Sequence, residues 1–305
     1  MSEGYVAKIL DPAKILNLLQ HVPLVTGDLG KTTHPMATNR YTKDLLSKTS
    51  KNHAGPGGPA TLNYEHVAAL DRVSYFDMLV DPTPSPHLVL HLEEMRVSSS
   101  LIRGVISKSG KKLRPIFYLP YRQKGTTRMK LAEPPGYAGD EVQFFTTATI
   151  DGCSVYIEGS PATPKVSHLN ASHVAPVPQS AETEANKLVR IQQKSADMDA
   201  RLNIIKKGTA TVVERKDYIA DTAAGQTQMK QLFANRKHVP SATVTDYQPF
   251  GAVVGLKSGG SWTFYLQKCG NFAYRPQAQG PLLNAMMVIE ARECWPGGAG
   301  VFRMI

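Results

Sequence analysis

From Pro82 onward the sequence is cut by turn signals into pieces about one strand long, and this punctuation constrains the fold more than any other feature. "PTPSPHLVLHLEEMRV" enters through prolines and then alternates, with Leu88, Leu90 and Leu92 on one side and Val89, His91 and Glu93 on the other. "LIRGVISKSGKKLRPIFYLPYRQ" reads as a hairpin about a Ser-Gly turn, and "RMKLAE", "EVQFFTTATI" and "CSVYIEG" follow as short strands. "GAVVGLKSGGSWTFYLQKCGNFAYRP" reads as a second hairpin about Ser258-Gly259-Gly260. Strand-length runs with tight connections predict an all-β or β-rich sandwich core.

The helical signals are few. Ala13 to Gln20 follows Asp11-Pro12, a capping residue and a proline suited to a first helical turn. "EHVAALDRVSYFDMLV" keeps approximate helical spacing at Val67, Leu70, Val73 and Met78, which predicts a helix over at least Glu65 to Leu79. Leu188, Ile191, Met198, Leu202 and Ile205 recur near a period of 3.6, so Ser180 to Gly208 is expected to be the main helix, with an imperfect capping signal at its start. "TATVVER" reads as a short strand and "TAAGQTQMKQLFANRK" as a helix, while "PLLNAMMVIEARECWPG" suits either state. The Gly- and Pro-rich "NHAGPGGPATLNY" marks a loop. Residues 1–80 therefore read as a separate or loosely attached extension ahead of a β-rich domain at 81–305.

At 305 residues and 42% hydrophobic, the chain is long enough for a substantial core. No run approaches the roughly 18 apolar residues of a membrane span. Nor does the start, "MSEGYVAKILDPAKILNLLQHV", have the basic and apolar regions of a secretory signal. The three cysteines, Cys153, Cys269 and Cys294, are too few and too scattered for a disulfide framework or a zinc site. The net charge of +10 has one source: Arg96 to Ala132 holds ten Lys or Arg and no Asp or Glu, and the rest of the chain balances. Such a segment attracts acidic partners, whether protein, nucleic acid or anionic membrane, or else forms solvated turns.

Chemistry concentrates in "EVQFFTTATIDGCSVYIEGSPATPKVSHLNA", Glu141 to Ala171. A cysteine nucleophile acts as thiolate and needs a neighbouring base, most often histidine. If "CSVYIEG" is a strand and "SPATP" a return loop, "KVSHLNA" runs back beside it and brings His168 opposite Cys153 as a cross-strand pair. Gly152 permits a bend that exposes the next residue, so the amides of Cys153 and Ser154 are candidate oxyanion donors. Thr146, Thr147, Thr149 and Asn170 are candidates to orient the imidazole, and spacing alone does not choose among them. The chemistry requires sulfur and imidazole close together beside solvent.

These residues resemble the active-site segment of the Burkholderia lethal factor, and more distantly the cytotoxic necrotizing factors and the chemotaxis deamidases, a family of Cys-His glutamine deamidases. The shared pattern is an aromatic-threonine strand, a Gly-Cys turn, another strand and a histidine, here Phe144, Phe145, Thr147, Gly152, Cys153 and His168. "KLRPIFYLPYRQKG" and "GAVVGLKSGGSWTFYLQ" are similar to supporting segments of the toxin, and the likeness spans roughly Pro82 to Arg275. The family's Leu-Ser-Gly-Cys is here Ile150-Asp151-Gly152-Cys153. A carboxylate two residues before the sulfur opposes its ionisation, unless Asp151 points away and pins the turn as Asp-Gly does.

The resemblance implies an α+β fold, a β-sandwich-like core of mixed and antiparallel strands with helices packed outside, in which 81–305 is the catalytic domain and 1–80 suits delivery or partner binding. It implies a bacterial effector that converts a glutamine of a target protein to glutamate through a thioester, with no cofactor and no metal. Cys153 is then the nucleophile, His168 the acid and base, Thr147 the residue that orients it, and the amides at Gly152 to Ser154 the oxyanion donors. It also implies a host GTPase or translation factor as substrate, and delivery from the bacterial cytoplasm by a route that needs no signal peptide. Two rival readings remain: a non-catalytic basic binding module with an inert Cys153, and a Cys-His protease or acyltransferase.

Overall fold

In the computed structural model, the described residues are 11–25, 61–63, 73–80, 90–95, 114–119, 126–132, 142–170, 211–220, 222–277 and 279–297, with scattered positions between 183 and 203. The first elements are α1 (Ile15–His21), β1 (Leu24–Val25), β2 (Thr61–Asn63), β3 (Val73–Val80) and β4 (Leu90–Met95). The middle of the chain forms β5 (Arg114–Leu119), β6 (Thr126–Lys130), β7 (Phe144–Thr147), β8 (Ser154–Glu158) and β9 (Lys165–Leu169). Then come β10 (Thr211–Val213), the short α2 (Arg215–Tyr218), α3 (Ala223–Lys237), β11 (Val244–Ser258), β12 (Ser261–Tyr274) and β13 (Leu283–Trp295).

The strands form two sheets, ordered β1-β4-β3-β5-β7-β11-β12-β13 and β10-β8-β9-β6-β2. Most pairs are antiparallel; β1 with β4, β5 with β7 and β2 with β6 are parallel. The fold is α+β, and the described strands form no closed barrel. β11 and β12 make the longest hairpin, and their two-residue turn is Gly259-Gly260 with φ of 56° and 79°. Both angles lie in the left-handed region that glycine enters without a Cβ clash, which is what this tight turn requires.

The sandwich follows from side-chain alternation. Phe117, Leu119, Phe145, Val253, Trp262, Phe264 and Leu266 project from the larger sheet into one apolar cluster. Met129, Val155, Ile157, Val166 and Val213 meet them from the smaller sheet. On the opposite face of the larger sheet, α1 lays Ile15, Leu18 and Leu19 against Phe144, Ala252, Val254, Leu256 and Tyr265. Further along the same strands, on the face that carries Val253, Phe264 and Leu266, α3 packs Met229 and Phe233 on Tyr247, Phe272, Tyr274 and Met287. Phe233 stacks on Phe272 with ring centroids 4.4 Å apart.

Gln267 fastens α1 to the face opposite α3. Its side chain is buried, its Nε2 donates to the carbonyls of Leu19 (2.6 Å) and Val22 (2.8 Å), and its Oε1 accepts the Leu24 amide (2.8 Å). One carboxamide thus satisfies three main-chain groups where the helix ends and β1 begins, groups that the helix itself leaves open. The described parts of residues 1–80 are woven into both sheets. β1 pairs with β4, β3 lies between β4 and β5, and β2 joins the smaller sheet beside β6.

Several expected elements are present: the helix behind Asp11-Pro12, the helix at Ala223–Lys237, the short strand at Thr211–Val213 and the hairpin about Gly259-Gly260. Every described position between 185 and 203 is helical, as the spacing there predicts. The helix expected over Glu65 to Leu79 requires correction. Val73–Val80 is a strand, paired on both sides with β4 and β5. Residues 65–72 lie outside the described residues, as does most of the basic segment 96–132 apart from β5 and residues 126–132.

Candidate active site

The site is built at one end of the β8–β9 hairpin. Gly159, at φ 93°, begins the return, and the Thr163 amide donates to the Ser160 carbonyl at 3.1 Å to close the loop. Ladder register runs from Glu158 opposite Lys165 to Ser154 opposite Leu169. Continued by one step, it sets Asn170 opposite Cys153. The side chains confirm the step, because Asn170 Nδ2 donates to Cys153 Sγ at 3.0 Å.

His168 sits opposite Val155 on one side and Thr127 of β6 on the other. The expected cross-strand pairing of Cys153 with His168 is therefore corrected by two residues. Because the shift is even, both side chains remain on the same face of the sheet. Their relation is diagonal, a geometry in which carrier positions are about 7–8 Å apart and still within reach of a ring.

That face is the interior of the sandwich. Cys153 is 2% exposed and His168 0%, so the expected opening of the sulfur to solvent is absent from this conformation. Cys153 lies among Ile150, Val155 and Tyr218 in the main apolar cluster. Solvent is nonetheless close along the chain: Asp151, two residues before the sulfur, is exposed, and Asn170 is 8% exposed at the end of its strand. Thr147 faces the same interior from the other sheet, where its Oγ1 accepts the Val253 amide at 3.4 Å. Thr146, its neighbour, is turned to the other face and donates its hydroxyl to the Thr147 carbonyl at 3.1 Å.

The turn before the cysteine depends on a residue that the sequence does not single out. Gly152 adopts φ 134°, a backbone state that side-chain-bearing residues rarely enter. The hydroxyl of Tyr218 accepts the Gly152 amide at 2.9 Å and donates to the Cys153 carbonyl at 2.7 Å. The Gly152 amide, one of the expected oxyanion donors, is thus engaged within the fold. Burial holds the Tyr218 hydroxyl well above its ordinary pKa, and the neighbouring Cys153 adds to the shift, so it remains a proton donor.

Tyr218 is positioned by α2. Glu214 and Asp217 form a capping box at its start, with the Glu214 amide donating to Asp217 Oδ2 at 2.7 Å. Arg292 of β13 reaches Asp217 at 3.5 Å. No local pattern points to Tyr218, because its partners are 65 and 66 residues earlier. Of the other two cysteines, Cys294 shares the apolar cluster of Cys153 and Cys269 lies in another. Burial raises the Cys269 thiol well above its ordinary range and pushes Cys294 up to about 12.

The reverse face of β8, β9 and β6 carries a second polar group. Arg128 is bound to Glu158 at 2.5 Å and to Ser167 at 3.1 Å, and Tyr156 donates to Glu158 at 3.2 Å. All four residues are buried. This network locks the three strands on the side away from Cys153 and His168.

No protein-family model matches the sequence, and no curated protein matches it. Among solved structures, the chain has a weak likeness to the C-terminal domain of CNFy from Yersinia pseudotuberculosis. The TM-score is 0.25 at 7% identity, over 59% of this chain and 62% of that one, under two thirds of its length. A likeness at that level is too low to bear on fold or function.

Proposed function

We propose that the protein is a Cys-His amide hydrolase that deamidates glutamine side chains of a protein substrate. The observation that carries this reading is the meeting of Asn170 with the sulfur of Cys153, 3.0 Å apart, on the face that also holds His168. An N–H aimed at sulfur is the contact a thiolate accepts, and an imidazole on the adjacent strand is the proton acceptor that a cysteine nucleophile needs. The sequence resemblance adds the chemistry. In the proposed reaction, the Cys153 thiolate attacks the side-chain amide carbon, and His168 transfers the proton to departing ammonia. Water activated by His168 then hydrolyses the thioester. Burial of the pair means that substrate must enter by local opening beside Asp151 and Asn170, where the strands end. The basic segment 96–132 suits a substrate with an acidic surface.

The burial of Cys153 favours a second reading, in which the thiol is inert core and the protein is a binding module. One comparison separates the two. Cell lysate is exposed to the wild type and to Cys153→Ser, and the peptides are compared by mass spectrometry. Conversion of Gln to Glu that depends on Cys153, without new chain termini, supports deamidation. New termini would indicate proteolysis, and identical peptide sets would leave the binding module as the better account.

A further inference from the structure

The oxyanion that forms when Cys153 attacks a carbonyl needs N–H donors, and the main chain here provides fewer than the Gly-Cys turn suggests. The Gly152 amide is bound to the hydroxyl of Tyr218. The Cys153 carbonyl also points at that hydroxyl. In a trans peptide the C=O and the following N–H point in opposite directions, so the Ser154 N–H is turned away from Tyr218, toward the β9 side of the strand. The Gly152 and Ser154 amides are thus directed away from a substrate at the sulfur, and an oxyanion formed here calls for a side-chain donor.

We infer that Asn170 is a catalytic residue, supplying an oxyanion donor through its side-chain amide. This assignment rests on the Cys-His reading and gives its site a specific requirement. Asn170 Nδ2 is 3.0 Å from Sγ, so it already touches the reacting atom. When sulfur bonds to a carbonyl carbon, the carbonyl oxygen comes to lie within about 3 Å of sulfur, inside the reach of a donor that was bonded to the sulfur. The electron pair of the thiolate forms the C–S bond, and the C=O π pair moves onto oxygen. The Asn170 N–H follows the charge from sulfur to oxygen. Collapse restores C=O and expels the leaving group, as ammonia once His168 has protonated it, and leaves the acyl thioester on Cys153. The donor is therefore bonded to negative charge before and after attack, with a movement of only one bond length between.

The test compares two reagents on the same sulfur. p-Nitrophenyl acetate acylates a thiolate through a tetrahedral oxyanion, whereas iodoacetamide alkylates it by displacement at a CH2 group and forms none. The rate of each at Cys153 is measured in wild type, Asn170→Ala and Asn170→Leu, with Cys153→Ser as blank and urea-unfolded protein as the reference for an unassisted thiol. The expected result is a loss of about 100-fold or more in acylation, the size of effect seen when one oxyanion donor is removed, with alkylation changed by less than about 10-fold. The acylation-to-alkylation ratio should fall to that of the unfolded reference. Equal losses in both rates, an unchanged ratio, or a wild-type Cys153 that does not acylate above the blank would each overturn the assignment. Failure of the deamidase reading looks different, because the ratio would still depend on Asn170 while no glutamine in lysate is converted.

Discussion

Tyr218 holds Cys153 by its main chain, the phenol hydroxyl 2.7 Å from the cysteine carbonyl across 65 residues of sequence. The same oxygen receives the Gly152 amide, so a single atom fixes two peptide planes at the turn that presents the sulfur. The relationship makes the backbone of Cys153 dependent on α2, and through Asp217 and Arg292 on β13.

Tyr218→Phe is expected to destabilise the fold by about 1–3 kcal/mol, because it leaves a buried N–H and a buried C=O without their partner. Urea unfolding of the two proteins at pH 7 checks this. The pH dependence has a definite sign. The folded-state pKa is raised above the ordinary 10.0, so the stabilisation that Tyr218 provides is complete below pH 10 and declines as pH rises toward the folded value. The stability difference between wild type and Tyr218→Phe should therefore narrow above pH 10.

Gln267→Leu keeps the size of the side chain and removes all three of its hydrogen bonds. Each main-chain group left unpaired costs about 1–3 kcal/mol, and the loss falls on the junction of α1 and β1. Limited proteolysis should then cleave near residues 19–25 sooner than in wild type. Equal cleavage rates would mean that the apolar face of α1 alone is enough to hold it.

Glu158→Ala leaves the Arg128 guanidinium buried without its carboxylate and is expected to destabilise by about 3–5 kcal/mol. Replacing both partners with apolar residues, Arg128→Met with Glu158→Leu, should recover most of that loss. Thermal unfolding of the single and double variants measures the difference.

Thiol labelling of the native protein should proceed first at Cys153. With Cys294 pushed up to about 12, the thiolate fraction at pH 8 is about one part in ten thousand, and Cys269 is raised as well as fully buried. Mass spectrometry after brief iodoacetamide treatment identifies the labelled site. His168→Ala should slow the labelling of Cys153 and leave the other two unchanged.

Much of this arrangement is legible in the sequence, for physical reasons that can be named. The turn at Gly259-Gly260 needs positive φ twice in succession, which Gly-Gly provides as one of the few dipeptides suited to it. α3 starts at Thr222, whose hydroxyl accepts the Gly225 amide at 3.0 Å, a local cap with a local signature. Val73–Val80 misleads because Val67, Leu70, Val73 and Met78 fit a helical period. Pairing with β4 and β5, remote in sequence, decides the outcome. The register at Cys153 differs from expectation because the hairpin is centred between Pro161 and Ala162, one residue later than a centre that would oppose Cys153 to His168. A shift of one in the centre moves the partner by two, from His168 to Asn170. Tyr218 leaves no trace at all in local pattern, since its role exists only once α2 docks against the turn.

The long β11–β12 hairpin sets a limit on modularity. It provides Val253, Trp262, Phe264 and Leu266 to the wall that encloses Cys153, and its other half seats α3. A truncated gene product ending before Val244 would carry the cysteine, the histidine and the asparagine yet lack the surface against which they are held. The shortest piece of the chain expected to hold these side chains in place therefore extends through Trp295.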